Sequence, residues 1–348
     1  MEKQKVLITG GTGFLGCHLA RQFLKDKFQV YLYDLSELDA KDLIGKVTAI
    51  KGDVRDYKLL KNSLKGIDYV VHTAAALPIQ RDKKTIFSVN IDGTKTVLQA
   101  SLDNKIKKII FISSTAVYGI PKILPETEEA PIDPIGFYGE SKVAAEKLCK
   151  EFSKKGLNYV IIRPKTFLGP ERLGVFQIWF EAIYNGKPIF ILGDGNNDYQ
   201  LLAVSDIAEL ISKAVSSNKK NVIINAGAKE FSTWRNDLGA VIKFANSKTK
   251  IISLPNKPSQ LILWALDQLN LSPITEWHYK TLPVNSYVSI DKAKKIFDWS
   301  PKKSNKALLI ETYDWYQKNR NKFINKEGKT HRVGWNFGIL NIVSKIFN

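Results

Sequence analysis

A tyrosine and a lysine four residues apart carry side chains that can move a proton. Positions i and i+4 share one face of a helix, so Tyr138 and Lys142 are predicted to point the same way, about one turn apart. A free phenol has a pKa of about 10, but a neighbouring ammonium favours the phenolate and lowers that pKa. The spacing therefore predicts a tyrosine base assisted by a lysine, although this pattern by itself is also typical of an ordinary amphipathic helix.

Hydroxyl side chains follow the apolar segment 108–112, which precedes this helix. Ser113 and Ser114 come directly after that segment, which is predicted to be a strand. The carboxyl ends of parallel strands open into the crevice where ligands bind, so a hydroxyl there can bond a reacting oxygen. We assign that role to Ser114, whereas Ser113 is interpreted as a polar strand end that satisfies its own backbone.

The segment Thr9-Gly10-Gly11-Thr12-Gly13-Phe14-Leu15-Gly16 follows the first predicted strand and opens a helix. In this context the glycine spacing is typical of a loop that holds the pyrophosphate of a dinucleotide at a helix N-terminus. The first glycine permits a sharp turn, the middle one lets the pyrophosphate approach the backbone, and the last lets the helix pack closely. The cofactor contacts predicted in this loop are Gly10, Gly13, Phe14, Leu15 and Gly16.

An acidic residue ends the second predicted strand. Asp34 follows Gly16 by 18 residues, at the distance where a carboxylate accepts hydrogen bonds from the adenosine ribose. The same carboxylate repels a 2′-phosphate, and the next residues, Leu35 and Ser36, supply no cation to offset it. These features favour NAD over NADP as the cofactor.

Short apolar segments alternate with helical patterns through the first half of the chain. Strands are predicted at 5–9, 29–33, 47–51, 68–72, 108–113 and 159–163, and helices at 13–25, 57–64, 86–102 and 138–154. This alternation predicts an α/β fold with a doubly wound, Rossmann-like parallel sheet.

The pattern becomes less regular after Pro164. Strands near 188–192 and 222–225 mix with helices near 175–184, 205–215 and 232–244. We therefore predict an NAD-binding domain over 1–165, a smaller mixed C-terminal substrate lobe over 166–318, and a tail over 319–348. Some strands and helices of the lobe are expected to return to the main domain.

Taken together, these motifs resemble the extended short-chain dehydrogenases/reductases, in the NAD-dependent epimerase/dehydratase branch, over roughly residues 5–245. The segments 51–54, 72–76 and 89–94 match further motifs of that family, and Arg163-Pro164 matches the end of its sixth strand. The resemblance implies a homodimer formed through the helices at 86–102 and 138–154. The roles it implies are adenine contact for Asp53 and Val54, cofactor contact for Ala74 and Ala75, and catalysis for Ser114, Tyr138 and Lys142, with Lys142 also holding the nicotinamide ribose.

Departures from the family pattern narrow the activity. The 4,6-dehydratases carry Asp-Glu after the catalytic hydroxyl, where this chain has Thr115-Ala116, so dehydration is not expected. Two diphosphate anchors of the nucleotide-sugar epimerases are also missing, because Thr166 stands where an Asn is usual and Tyr199 where an Arg is usual. Since a phosphate needs a cation, Lys165 or Arg172 is expected to replace them.

The sequence leaves two enzyme activities open. The first is an NAD-dependent epimerase of a nucleotide sugar, which would oxidise and re-reduce one secondary hydroxyl. The second is a hydroxysteroid- or isoprenoid-type dehydrogenase, possible because that branch shares the triad, acts on lipid alcohols and lacks the diphosphate anchors. A third class, a non-catalytic NAD-sensing scaffold, does not explain the intact triad.

The composition is that of a globular protein with a strong positive charge. Of its 348 residues 44% are hydrophobic and 25% are charged, and 52 Lys and Arg outnumber 34 Asp and Glu to give a formal net charge of +18. These values exclude disordered, collagen-like and coiled-coil proteins, while the charge favours anionic partners. Because no nucleic-acid-binding motif accompanies the charge, nucleic acid is not an expected partner.

The two cysteines, Cys17 and Cys149, are too few for a disulfide framework or a zinc site, and no metal site is predicted. No apolar run approaches the roughly 18–20 residues of a membrane-spanning helix, and the N-terminus lacks a secretory apolar region. We therefore expect a soluble, cytoplasmic protein.

The tail over 319–348 is basic and ends in an apolar helical pattern. Its apolar side chains recur at a spacing that places them on one helical face: Ile339, Ile342, Val343, Ile346 and Phe347. Such a pattern is typical of a helix that binds peripherally to an anionic membrane, here at the inner face. A terminal helix packed on its own domain or on a dimer partner is the alternative, and the sequence leaves both open.

Overall fold

The computed structural model describes residues 3–80, 82–172, 175–269, 271 and 274–322. Its strands are β1 (Lys5–Thr9), β2 (Gln29–Asp34), β3 (Thr48–Lys51), β4 (Tyr69–His72), β5 (Lys108–Ile112), β6 (Tyr159–Pro164), β7 (Phe167–Leu168), β8 (Ile189–Leu192), β9 (Leu202–Ala203), β10 (Val222–Ala226) and β11 (Ile251–Leu254). Its α-helices are α1 (Phe14–Lys25), α2 (Tyr57–Ser63), α3 (Lys83–Phe87), α4 (Thr94–Asp103), α5 (Gly136–Ser153), α6 (Val175–Tyr184), α7 (Val204–Ser216), α8 (Trp234–Phe244), α9 (Asn256–Gln268), α10 (Glu276–Thr281), α11 (Asp291–Phe297) and α12 (Asn305–Asn319).

Seven parallel strands form the central sheet, in the order β10-β6-β5-β4-β1-β2-β3. The order runs outward from β1 in one direction and from β4 in the other, so the chain reverses direction across the sheet between these two strands. In open α/β sheets, ligands bind at such a switch point, beyond the carboxyl ends of the strands. The predicted doubly wound parallel sheet is confirmed.

Both faces of the sheet are covered, which explains why its strands are continuously apolar. In β1, Val6 and Ile8 join a core cluster with α1 and α7 on one face. Leu7, between them, points to the other face and joins a cluster with α2, α4 and α5. The strict alternation follows from the two-residue period of a strand.

The predicted helix over 86–102 is longer than expected and contains an irregular turn. It extends as α3, a π-helical segment at Ser88–Gly93, and α4. A π turn inside an α-helix inserts one residue and redirects a side chain, and such turns occur frequently at functional sites. Here the turn contains Asn90, whose amide is buried.

The second half of the chain differs most from the expectations. The segment 222–225, placed among the strands of the lobe, forms β10 and pairs in parallel with β6 at the edge of the main sheet. Two small parallel pairs, β8 with β11 and β7 with β9, lie outside that sheet. A third apolar cluster packs α6, α8 and α12 around β8.

The sequence patterns predict no helix after residue 244, and they indicate breaks at the segments 254–259 and 271–274, which contain Pro or Asn. The structure nevertheless has helices α9 to α12 in this part of the chain. Pro255 and Pro258 in fact stand at the start of α9, as its N-cap and in its first turn. Proline is tolerated at that place, since the first N–H groups of a helix have no partner within the helix.

Among the residues that the structure describes, no helix combines the length and apolar character needed to cross a bilayer. The apolar pattern predicted between Ile339 and Phe347 lies outside the described residues.

Candidate active site

A cavity of about 590 Å³ lies beyond the carboxyl ends of the strands of the main sheet. The segments that follow β1 to β6 all contribute to its lining. Of the residues predicted to form the site, the structure brings together all but Gly16 in this lining: Gly10, Gly13, Phe14, Leu15, Asp34, Asp53, Val54, Ala74, Ala75, Ser114, Tyr138, Lys142, Lys165, Thr166, Arg172 and Tyr199.

The glycine loop forms a cradle that side chains would fill. Gly10 has a φ of +68°, and a Cβ there would lie 2.7 Å from the backbone nitrogen of Ala74. A Cβ on Gly16 would overlap the carbonyl oxygens of Gly10 and Gly11, so this glycine lets α1 start directly behind the loop rather than contacting the ligand. Gly13 is the N-cap of α1. The loop thus presents backbone N–H groups and a helix N-terminus, which fit a pyrophosphate.

Asp34 is held in place by the backbone of two loops. Its Oδ2 accepts a hydrogen bond from the Thr12 N–H at 3.1 Å, and its Oδ1 accepts one from the Ser36 N–H at 3.0 Å. The carboxylate therefore has a fixed direction beside the glycine loop. This position fits the ribose of an adenosine better than a 2′-phosphate, because the carboxylate accepts hydrogen bonds from hydroxyls and repels a phosphate.

Asp53 follows β3 and pairs with a neighbouring cation. Arg55 Nη2 lies 2.5 Å from Asp53 Oδ2, and the hydrogen bonds from Arg55 lower the pKa of this carboxyl. The Tyr33 hydroxyl donates to the Asp53 carbonyl oxygen at 2.9 Å, which fixes the backbone beside Val54. These contacts give the adenosine end of the cavity a rigid wall.

The wall after β4 is fixed by Asn90 of the π-helical turn. Asn90 Oδ1 accepts from the Ala76 N–H at 2.7 Å, and its Nδ2 donates to the Ala76 carbonyl oxygen at 3.1 Å and to Ser141 Oγ at 2.9 Å. One amide thus ties the loop that contains Ala74 and Ala75 to helix α5. The π-helical turn directs the Asn90 side chain to these partners, which gives a structural reason for the irregular turn.

Helix α5 and the end of β5 bring the three catalytic candidates together. Lys142 Nζ donates to the Ile112 carbonyl oxygen at 2.9 Å and lies 5.8 Å from the centre of the Tyr138 ring. Ser114 Oγ accepts from the Ala116 N–H at 3.1 Å, and the Ser114 hydroxyl is close enough to oppose the rise in the pKa of the Tyr138 phenol. The arrangement is therefore a phenol flanked by a hydroxyl and an amine at the carboxyl end of strand β5 of the central sheet.

Burial dominates the titration of this group. It raises the pKa of Tyr138 to about 12, against the opposing effects of the Ser114 hydroxyl and the Arg172 guanidinium. It lowers the pKa of Lys142 to about 8. The sequence predicts that the neighbouring lysine lowers the pKa of the phenol. In the protein without bound ligand this pKa is raised instead, because desolvation of the ring outweighs the nearby charges.

A buried ion pair supports α5 from behind. Arg163 at the end of β6 forms two hydrogen bonds to Glu146, at 2.8 and 2.6 Å, and both side chains are almost fully buried. Ser113 Oγ donates to the same carboxylate at 2.6 Å, so the prediction that Ser113 bonds its own backbone is wrong. Glu146 lies one turn beyond Lys142 on the same face, so the pair fixes the helix at Lys142.

Lys165 and Tyr199 form one side of the substrate end of the cavity. Lys165 Nζ donates to Ser286 Oγ at 2.6 Å and lies 4.9 Å from the centre of the Tyr199 ring. Burial lowers the pKa of Lys165 to about 8, which the carboxylate of Glu126 opposes. The Tyr199 hydroxyl hydrogen-bonds Thr166. Lys165 is thus already engaged by neighbouring groups.

Arg172 differs from Lys165, because two of its guanidinium nitrogens are buried without acceptors among the described residues. The residue is 7% exposed, and the two nitrogens are Nε and Nη1. Its guanidinium carbon lies 5.3 and 5.4 Å from the ring centres of Phe14 and Phe167. Burial lowers the pKa of Arg172 to about 9, which the Tyr138 phenol opposes. A buried cation with free N–H groups is suited to bind an anion.

Sequence reasoning missed the aromatic part of the site. The ring centres of Trp234 and Tyr199 are 4.5 Å apart, and those of Trp234 and Trp179 are 5.1 Å apart. The Nε1 of Trp234 has no partner among the described residues. Trp277 and His278 of α10 line the same cavity. The three tryptophans come from three separate helices, so no local sequence pattern indicates that they meet. The presence of tryptophan was the only sign of this aromatic group in the sequence.

In the described part of the chain, no cluster of three or more His, Cys, Asp or Glu side chains is placed to hold a metal ion.

Residues 6–227 match the sequence model of the NAD dependent epimerase/dehydratase family. The chain belongs to this family. NAD is therefore its cofactor, and the glycine cradle and Asp34 fit that molecule. Among the family's 4-epimerases, the structure of the UDP-glucose 4-epimerase of Thermotoga maritima, solved with UDP-glucose, is similar to this chain with a TM-score of 0.78. That match has 24% sequence identity and covers 91% of this chain and 100% of the other, so it shows the shared fold.

Two relatives in sequence extend over most of the chain. An uncharacterized protein, y4nG of Sinorhizobium fredii, is 37% identical over 328 residues, which cover 94% of this chain and 82% of the relative. A putative UDP-glucose 4-epimerase of Methanocaldococcus jannaschii is 31% identical over 251 residues, which cover 68% and 81%.

Proposed function

We propose that this enzyme interconverts two epimers of a nucleotide sugar by transient oxidation of one secondary hydroxyl. Bound NAD would supply the reversible hydride acceptor that this oxidation and re-reduction require. Tyr138 takes the proton of the hydroxyl as the carbon is oxidised and gives a proton back when the ketone is reduced. Ser114 donates a hydrogen bond to the same substrate oxygen and holds it beside the phenol.

Lys142 has two tasks in this proposal. Its ammonium lies 5.8 Å from the Tyr138 ring centre and favours the phenolate that the proton transfer requires. It also holds the nicotinamide ribose, as the resemblance implies. Its hydrogen bond to the Ile112 carbonyl oxygen fixes the amine at the end of β5.

The observation that carries the choice of substrate is the buried guanidinium of Arg172, whose Nε and Nη1 have no hydrogen-bond partner among the described residues. Burying charged N–H groups without acceptors costs free energy on the order of several kcal/mol. An anionic group of the substrate, such as the diphosphate of a nucleotide sugar, would supply the missing acceptors. Lys165 lines the same cavity, but its amine already donates to Ser286, so Arg172 is the anchor that we propose for the anionic group.

The aromatic lining of the cavity also fits the second activity, that of a dehydrogenase acting on a lipid alcohol. Trp179, Trp234 and Tyr199 offer a stacking surface that suits a nucleobase but also an apolar lipid alcohol. If the substrate is such an alcohol, the same triad acts as a dehydrogenase, and the ketone leaves together with reduced cofactor.

One incubation distinguishes these activities. The enzyme is mixed with NAD in molar excess over the substrate, which is UDP-glucose, UDP-galactose, UDP-glucuronic acid or, in a parallel reaction, a sterol or isoprenoid alcohol. The sugar isomers are resolved by chromatography while absorbance is followed at 340 nm. An epimerase forms the second isomer without net production of NADH, whereas a dehydrogenase produces about one NADH per ketone. NADH accumulation with a sterol or isoprenoid alcohol, and no conversion of any nucleotide sugar, would overturn the epimerase proposal.

Two variants link the activity to the site. Tyr138→Phe is expected to abolish turnover while NAD still binds, and Tyr184→Phe, on the exposed end of α6, serves as the matched control. Arg172→Gln is expected to raise KM for the nucleotide sugar and Ki for UDP about tenfold or more, since it removes a charge-assisted hydrogen bond. Substantial turnover by Tyr138→Phe would contradict the assignment of the base.

We also propose a homodimer formed through α4 and α5, as the resemblance implies. Light scattering of the purified chain at several concentrations tests it, and a monomer at all concentrations would refute it.

A further inference from the structure

Helix α9 and the turn that follows it expose a dense group of large apolar side chains. Leu261, Ile262, Trp264 and Leu269 are 65%, 61%, 50% and 66% exposed, and Leu271 is 45% exposed. These five side chains, which we call the α9 surface, lie within eleven positions of the sequence. The nine other large apolar side chains that stand exposed in the described residues are spread over the rest of the chain. Concentrated exposure of this kind marks an interaction surface.

The α9 surface occupies one face of the helix. Lys257, Leu261, Trp264 and Gln268 recur at helical spacing and are all exposed, whereas Ser259 on the opposite side is buried. Asp267 is the one carboxylate in α9, and it is partly buried. The outward face therefore combines apolar side chains with a cation and has no acidic group.

The inner face of α9 packs against α10, which belongs to the active-site wall. Gln260 Nε2 donates to the Tyr279 carbonyl oxygen at 3.2 Å. The pKa of the Tyr279 phenol is raised to about 12 by burial and by the nearby carboxylates of Glu276 and Asp267. Trp277 and His278 of α10 line the cavity. The α9 surface is therefore one helix away from the substrate end of the site.

Charge and size indicate what covers this surface. The chain has a formal net charge of +18, so it is attracted to surfaces of negative charge. A tryptophan among leucines, with lysine at the border and no carboxylate, is the composition of a helix that lies in the headgroup region of an anionic bilayer. A second copy of the chain fits less well, since one face of a 13-residue helix offers on the order of a few hundred Å², against roughly 800 Å² per partner in stable dimers.

We propose that the α9 surface docks on an anionic phospholipid bilayer. Leu261, Ile262 and Trp264 enter the headgroup region, and Lys257 contacts lipid phosphates. Docking brings the wall of the active site that contains Trp277 close to the membrane surface. The proposal does not depend on which hydroxyl the enzyme oxidises.

A fluorophore at a single position tests where the protein touches the membrane. Both native cysteines, Cys17 and Cys149, are buried, so Ile262→Cys in the full chain can be labelled selectively with a polarity-sensitive dye. Vesicles of phosphatidylcholine with about 30 mol % phosphatidylglycerol are expected to shift its emission to the blue. The matched control is Ile123→Cys, at a position that is 73% exposed elsewhere on the chain, and its emission is expected to stay unchanged.

Sedimentation with the same vesicles measures the contribution of the surface to binding. The triple variant Leu261→Ser, Ile262→Ser, Trp264→Ser is expected to lower the partition coefficient at least about tenfold, and binding is expected to weaken about fivefold as salt rises from roughly 50 to 500 mM. The control variant, Ile44→Ser with Ile123→Ser, removes exposed apolar side chains elsewhere and is expected to bind as the wild type does. Retained NAD binding by each variant verifies folding.

Three outcomes would overturn the proposal. The first is no emission shift at position 262 while the protein binds vesicles. The second is binding that survives the triple variant and is lost in a full-length variant with serine at Ile339, Ile342 and Ile346, which would place the contact in the tail. The third is an emission shift that needs only higher protein concentration, which would show that a second copy covers the surface.

Discussion

Replacing Lys142 by Met tests whether its charge, rather than its shape, supports catalysis. The amine lies 5.8 Å from the Tyr138 ring centre. At an effective dielectric constant of about 20, a unit charge at that distance stabilises the phenolate by roughly 3 kcal/mol, which corresponds to about two pKa units. Lys142→Met keeps most of the volume and removes this charge, so kcat at pH 7 is expected to fall about 100-fold.

The pH dependence of the loss follows from the pKa of the lysine itself. Burial lowers the pKa of Lys142 to about 8, so the charge is present below that pH and disappears above it. The ratio of wild-type to variant kcat is therefore expected to be largest near pH 7 and to decline towards about 1 near pH 10. The variant itself gains rate with rising pH, because more of its tyrosine ionises.

The assay is kcat at saturating NAD and saturating nucleotide sugar between about pH 6.5 and 10. Lys147→Met, which removes an exposed lysine from the same helix, is the control and is expected to behave as the wild type. A ratio that stays constant with pH would show that Lys142 acts through structure alone. A loss below about threefold at pH 7 would refute the electrostatic argument.

Further predictions concern the cofactor site and the support of α5. Asp34→Arg is expected to shift the ratio of NADP to NAD affinity at least tenfold towards NADP, since roughly 1–3 kcal/mol of repulsion is relieved; calorimetric titration with both cofactors measures it. An unchanged ratio would show that Asp34 does not face the ribose. Glu146→Gln leaves the buried Arg163 without its counter-charge and is expected to lower the free energy of unfolding by about 3 kcal/mol in urea titrations. Gly16→Ala is expected to weaken NAD binding about tenfold or more, because its methyl group meets two carbonyl oxygens of the loop. Gly239→Ala in α8 meets no atom within 4 Å and is expected to leave NAD binding intact while stabilising the helix; equal effects of the two alanines would contradict the packing argument.

The sequence predicted the first half of the fold because its signals are local. The strand, glycine loop and helix over 5–25 follow one another directly, and each depends on residues a few positions apart. The same holds for Tyr138 and Lys142, whose common face follows from helical geometry. Because crossovers between parallel strands are right-handed, the alternation of strands and helices predicted a doubly wound sheet, although it did not predict the order of the strands.

Other features depended on contacts between distant segments. The placement of β10 beside β6 joins residues about 60 positions apart, and apolar pattern alone does not say which sheet a strand enters. Helix α9 was missed because proline was interpreted as a break, although in a first turn it removes no helical hydrogen bond.

The sequence by itself determined the family, the parallel sheet, the cofactor loop and the identity of the residues able to move a proton. Only the tertiary structure decided their electrostatics. Burial raises the pKa of Tyr138. The tertiary packing also pairs Ser113 with Glu146, and it leaves N–H donors without partners on Arg172 rather than on Lys165. The physical reason is that residue type and spacing set which groups are near along the chain, whereas desolvation and hydrogen-bond partners depend on everything that packs around a group in space.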